Sequence, residues 1–379
     1  MFPPLSSLST TLRVMLKAVT LVITINFICL ATHFNPVAAL TRVNLWGLVR
    51  HDRAYLVDVQ NGLLPIDSLL AAHMVAYSPK SNDEFRVLIL GNSDPYDAGL
   101  NDDETLSARL NERNIRINGK RLFSYNLAFP AGGIVSSTLV LEAALIYQPD
   151  LVISFVTANM FNNRDGFWDQ NIAVFSVNRE RLEQIASRYK MTDWFVPRPP
   201  VFALLGIHDQ GTLAGWFNSL FYPFVQSEIP HPTWRIAQDP IPAEPSNFMD
   251  VPGTYPVLNP TWNFLDISQQ MAESVGSHLL IINQPTLVVD GPHSDVSYSR
   301  MYGRAFYDTY YATLKSYTLT HHLWYLDMWR TVAPEDYTDG ELYIDPQGTV
   351  RVADELARQL SLRAIIMPQE KMLILNPVL

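Results

Sequence analysis

The chain has 379 residues, 48% of them hydrophobic, with a formal net charge of −10 and a pI near 5.3. That length allows one large domain or two ordinary ones with a sizeable core, and the acidic balance without any basic run excludes nucleic acid as the main partner. A single cysteine, Cys29, excludes an internal disulfide, and nine scattered histidines show no metal-ligand spacing, so no cofactor or metal is expected.

The first element is apolar. From Ala18 to Ala31, AVTLVITINFICLA carries no charge, and Met15 and Leu16 extend it past Lys17. Roughly 20 apolar residues span a bilayer as a helix, so the segment stands near the lower limit. Arg13 and Lys17 precede it, while Arg42, Arg50 and Arg53 follow it, so flanking charge does not orient it. Small residues at Pro36 to Leu40 would suit a signal peptidase. An uncleaved transmembrane anchor is the leading reading of residues 1–40; a cleaved signal and a buried helix remain alternatives. The first two place the rest of the chain outside the cytoplasm, at the cell envelope.

Residues 41–84 read as a helical lead-in. Strands and helices then alternate. FRVLIL (Phe85 to Leu90) and DLVISFVT (Asp150 to Thr157) are continuous apolar runs of strand length, and LFSYNLAF (Leu122 to Phe129) is strand-like. Between them, Glu104 to Arg113 and Ser136 to Tyr147 have helical character, the latter with Ser136 or Ser137 as N-cap. The order resumes with a helix at Asn263 to Gly276, a strand at His278 to Asn283 and a helix at Met301 to Thr318. A strand at Leu323 to Trp329 and a helix at Gly348 to Leu360 complete it. Runs apolar on both faces suit a parallel sheet covered by helices. The expectation is an α/β domain over 85–365: a doubly wound, flavodoxin-like parallel sheet of five strands. An irregular Pro/Trp-rich insertion interrupts it at about 162–259, and 366–379 form a tail.

In such a sheet ligands sit beyond the carboxyl ends of the strands. The first strand delivers Asn92 and Ser93 there. The second delivers Asn126, then Gly132 and Gly133, where a backbone N–H can approach an oxyanion closely. The third delivers Asn159, the fourth the loop containing His293, and the loop before the last helix delivers Asp339 and Tyr343. The carboxylates of NDDE (Asn101 to Glu104) read as capping and charging a helix start.

Serine, glycine and asparagine at three successive strand ends resemble the SGNH, or GDSL-type, hydrolase family. GNSDPYDAG is similar to its first block, NLAFPAGG to its second, FVTANMF to its third, and DGELYIDPQGTVRVADELA to its last. The later segments, NQP, SYSRMYGRAFYDTYYATL and LWYLDMW, also resemble membrane-anchored members linked to cell-surface polymer acylation. The resemblance implies a nucleophile at Ser93, oxyanion donors at Gly132 and Asn159, and an acid partner at Asp339. It also marks departures. The family's His falls at Tyr343, whose unperturbed pKa of about 10 cannot serve as a base at neutral pH. The family's first-block Asp is Asn92, and the third block has Thr157 and Met160 for its Gly and Asp. His293 stands at the correct end of the sheet as a replacement base, or is simply a turn residue. Two functions follow from the resemblance: a serine esterase or O-acyltransferase acting on a surface glycan or lipid ester, or a degenerate relative that binds a glycan, lipid or protein partner without turnover.

Overall fold

In a computed structural model of the chain, the residues described are 10–31, 66, 70, 73–92, 95, 97, 99–128, 133–161, 176–191, 260–299, 302–338 and 343–364. Strand β1 (Glu84–Leu90) is buried at every position, as a central strand covered on both faces must be. Strand β3 (Lys120–Asn126) lies on one side of it and β4 (Leu151–Val156) on the other, both parallel to it. Strands β5 (His278–Asn283) and β6 (Trp324–Asp327) extend the parallel sheet beyond β4. A two-residue strand β2 (Arg116–Ile117) pairs antiparallel with β3, and the order is β2-β3-β1-β4-β5-β6.

Helices cover both faces. Helix α2 (Leu106–Glu112) and helix α7 (Pro346–Ala364) pack on Val87, Ile89, Ile153 and Ile282. Helices α3 (Ile134–Ala144), α5 (Asn263–Ser274) and α6 (Arg304–Thr320) pack on Leu88, Val152 and Ile281. A large apolar side chain moved fully out of water contributes about 1.5–3 kcal/mol, so these two layers supply the driving force. The expected doubly wound α/β architecture is present, with six strands in place of five.

The sequence reading needs correction in three places. Within the stretch read as irregular, helix α4 (Ser176–Arg188) forms, because Leu182, Ile185 and Ala186 recur at helical spacing and bury into the α3 side of the core. Neither Ser136 nor Ser137 caps α3; the N-cap is Gly133, whose N–H the Ser136 hydroxyl accepts at 2.7 Å. The start of α2 is not capped by NDDE: Asp97 accepts the Leu106 N–H at 2.7 Å and Thr105 the Ala108 N–H at 3.2 Å.

At the N-terminus, helix α1 (Thr10–Ala31) runs for 22 residues. Its apolar side chains, Val14, Met15, Val19, Leu21, Ile23 and Phe27 among them, are exposed. Among the described residues no helix is long and apolar enough to cross a membrane. The fold therefore does not show the spanning helix read from the sequence.

At the amino ends of the strands a buried ion pair closes the sheet. Arg86, only 2% exposed, donates to Glu84 Oε1 at 2.5 Å and to the carbonyls of Tyr147 and Ser78 at 3.0 and 2.6 Å. The Tyr125 ring lies beneath the guanidinium.

Candidate functional site

The carboxyl ends of β1 and β3 are tied together by Asn126. Its amide donates to the Pro95 carbonyl at 2.7 Å and to Asp97 Oδ2 at 3.2 Å, and its own Oδ1 accepts the Ala128 N–H at 3.1 Å. Asp97 is buried, with φ at 61°, in the left-handed region that aspartate tolerates better than most residues. Gly91 opens this loop. A Cβ there would stand 2.4 Å from Pro95 Cγ and 3.2 Å from Phe155 Cβ, so only glycine lets the chain fold back this tightly.

Behind Asn126 stands His73, 1% exposed. Its Nδ1 accepts the Val75 N–H at 3.1 Å, so Nε2 carries the proton that it donates to the Asn126 carbonyl at 2.9 Å. His73 is thereby a neutral support for the tip of β3.

The other strand tips carry amides, hydroxyls and one carboxylate. Thr157, just past β4, shares a hydrogen bond of 3.2 Å with the Tyr302 hydroxyl. Asn159 follows in a single 3-10 turn, Ala158–Phe161; its side-chain oxygen is buried and has no hydrogen-bond partner. Asn283, at the end of β5, accepts from the Tyr310 hydroxyl at 3.1 Å and donates to Asp327 Oδ1 at 3.1 Å. Asp327 also accepts from the Tyr311 hydroxyl. Burial drives the Tyr307, Tyr310 and Tyr325 hydroxyls well above the usual tyrosine range; Tyr311 is raised by burial and then by its bond to Asp327. The Tyr307, Tyr310 and Tyr311 hydroxyls donate here, and none of the four phenols is a base.

The loop before α7 is held by its backbone. The Tyr343 carbonyl accepts the Thr338 N–H at 2.8 Å and its hydroxyl at 3.1 Å, and Tyr337 bridges Ile344. Asp345 caps α7, accepting the Gly348 N–H at 2.8 Å, with Pro346 as the first helical residue. Tyr343 is half-buried.

His293 is exposed, with φ at 65°, and its carbonyl closes the turn by accepting the N–H groups of Val296 and Ser297. Among the described residues no hydrogen bond orients its ring. Asn92 is buried beside the tip of β1. Ser93, Gly132 and Asp339 lie outside the described residues. Those that are described divide clearly: Asn92, Asn126 and Asn159 stand at the tips of β1, β3 and β4, and His293 stands on an exposed turn.

Sequence reasoning missed Asp97 and His73. Asp97 lies inside GNSDPYDAG but was not singled out, His73 falls in no motif, and their partners lie 29 and 53 positions away. A cleft of about 510 Å³ lies elsewhere, between the end of α4 and the start of α5, lined by Arg188, Lys190, Asn263 and Asp266; no candidate residue contributes to it.

The fold defines the chain as an α/β protein with a six-stranded, mostly parallel sheet whose carboxyl edge carries these side chains. No family profile and no curated protein matches its sequence. Several solved structures are similar to it at low identity. The esterase EstA from Pseudoalteromonas sp. is 9% identical, over 74% of this chain and 99% of that one, with a TM-score of 0.38. A GDSL-like lipase from Bacteroides thetaiotaomicron is 9% identical over 76% and 93%, with a TM-score of 0.36. A carbohydrate acetylesterase family member from Sinorhizobium meliloti is 12% identical over 73% and 98%, with a TM-score of 0.33.

Proposed function

We infer that the protein is an SGNH-hydrolase-like binding protein of the cell envelope, held at the membrane by α1, whose crevice takes a surface glycan, lipid or protein partner without turning it over. The observation that carries this reading is Tyr343. It occupies the place of the family's histidine, and its backbone carbonyl is fixed by Thr338. A serine nucleophile without its base loses several orders of magnitude in rate. We read His293 as a turn residue and not the replacement base, because its ring is exposed and no hydrogen bond among the described residues orients it. The placement at a membrane rests on the charge-free run Ala18 to Ala31 and on the exposed apolar side chains of α1.

A second reading keeps the chemistry: an active serine esterase or O-acyltransferase acting on a cell-surface glycan or lipid ester. Asn159 favours it, because its side-chain amide follows directly on the tip of β4, where its Nδ2–H group would suit an oxyanion donor. A fluorophosphonate probe separates the two. The binding-protein reading expects no labelling of the folded, full-length protein. Labelling that disappears in Ser93→Ala establishes an activated nucleophile and overturns it.

A further inference from the structure

Most polar side chains at the carboxyl edge of the sheet are paired. Asn126, Thr157, Asn283 and Asp327 all have partners on neighbouring elements. Against this background several buried polar atoms on the same edge have no partner among the described residues: Ser137 Oγ in the first turn of α3, Asn159 Oδ1 after β4, Gln284 Oε1 after β5, and Ser297 Oγ on the loop that follows β5. Gln284 and Ser137 are each 2% exposed and Ser297 is fully buried.

Gln284 is the most informative of them. Its N–H bonds the Val156 carbonyl at 3.1 Å, which extends the β4–β5 ladder by one rung. The alternation of β5 therefore reaches it. Leu280 and Ile282 face the layer of α2 and α7, and Gln284 follows them in register. Tyr337 and Ile344, which flank the Tyr343 loop, belong to that same layer. A native protein keeps few buried polar groups unpaired, and each one calls for a cause. A side-chain carbonyl can only accept, so its missing partner is an O–H or N–H donor. An acyl chain offers none. A polyhydroxylated ligand offers several, and each hydroxyl also accepts, which suits the unpartnered Ser137 and Ser297 hydroxyls.

We propose that Gln284 is a specificity-determining residue of the crevice, whose side-chain carbonyl accepts a hydrogen bond from a hydroxyl of a glycan ligand. This rests on the reading of the crevice as a ligand site and narrows its ligand to a carbohydrate. A site built to bond a hydroxyl rejects ligands that lack it far more strongly than an apolar site discriminates by size.

The test uses the full-length protein in detergent, an array of neutral, acidic and N-acetylated oligosaccharides, and phospholipid vesicles. The expected result is retention of at least one glycan class by the wild type and weakening of tenfold or more in Gln284→Leu. Gln284→Glu, which keeps an acceptor, retains binding. The ligand-free Gln284→Leu protein should melt at a higher temperature than the wild type, because an unpaired buried carbonyl has been replaced by a side chain of similar size. A lower melting temperature makes Gln284 a structural residue and overturns the proposal. Undiminished glycan binding in Gln284→Leu overturns it as well. Binding to vesicles of protein lacking α1, with no glycan retained, overturns the carbohydrate ligand while leaving the crevice reading standing. Binding to neither defeats both.

Discussion

Asn126 and Asp97, 29 positions apart, meet at 3.2 Å where β3 ends and the loop after β1 turns back. Through this contact and the bond to the Pro95 carbonyl, the tip of one strand fixes the loop that carries Ser93 in the sequence. Asp97 passes the restraint on to α2 by accepting the Leu106 N–H. The floor of the crevice is thus set by a chain of buried hydrogen bonds, not by apolar packing alone.

Asn126→Ala removes the donor and leaves the Pro95 carbonyl and one side of Asp97 without a partner. Each stranded buried group costs about 1–3 kcal/mol. Denaturant unfolding should show a loss of that order, and ligand binding in the crevice should weaken beyond what the lost stability explains. Asn126→Asp retains the acceptor for Ala128 but sets a second carboxyl against Asp97, so it should be no better tolerated. A variant that unfolds and binds like the wild type would show that the loop is held by other means.

Arg86 makes a second prediction, at the opposite end of the strands. Its guanidinium satisfies Glu84 and two backbone carbonyls inside the protein. Arg86→Ala leaves a buried carboxylate without its cation and should cost about 3–5 kcal/mol. Replacing both members by apolar residues of similar volume, Glu84→Leu with Arg86→Met, should cost clearly less than Arg86→Ala alone. Chemical unfolding of the three proteins checks both statements. Equal losses in the single and double variants would mean that the carbonyl contacts, not the charge pair, hold this end.

Much of the fold was legible in the sequence because β1, β4 and β5 carry near-continuous apolar runs of strand length, the pattern that burial on both faces selects. The antiparallel edge strand β2 was not read, although its signal was present. Asn118 and Gly119 both have positive φ, 52° and 81°, and form the Asn-Gly hairpin turn that joins β2 to β3. Helix α4 hid among prolines and tryptophans, although Leu182, Ile185 and Ala186 have helical spacing. The site was legible only in part. Strand ends announce themselves by Gly91 and Asn126, but Asp97 and His73 reach their partners through the fold, which no local pattern records. The exposure of His293 follows from a left-handed turn that Gly-Pro-His did not betray.

The tyrosines of the α6 side predict the response to alkali. Burial holds the Tyr307, Tyr310 and Tyr325 hydroxyls above their unfolded value of about 10. Tyr298, Tyr311 and Tyr317 are raised by burial together with bonds to Asp308, Asp327 and Asp266. Between the unfolded and folded values the native state keeps protons that the unfolded state releases, so stability falls as pH rises above about 10. These hydroxyls contribute no pH dependence below that. Phenolate absorbance should therefore rise in one step with loss of near-ultraviolet circular dichroism. Smooth ionisation of these tyrosines in a still-folded protein would contradict the burial that the fold gives them.

The last prediction concerns Tyr343. If the catalytic deficit lies at Tyr343 alone, Tyr343→His restores an imidazole at the family's position without disturbing the contacts that hold the loop, because Thr338 bonds the backbone carbonyl of this residue and not its side chain. The substituted protein should hydrolyse a simple acetyl ester with a pH profile that rises through the histidine range, near 6.5, and the gain should vanish in Tyr343→His combined with Ser93→Ala. Asn159→Ala in the same background should lower that activity by about 100-fold or more, the usual effect of removing one oxyanion donor. No gain in a folded Tyr343→His protein would mean that the departures at Asn92, Thr157 and Met160 have also dismantled the site. The crevice would then have been reshaped for binding in more than one place.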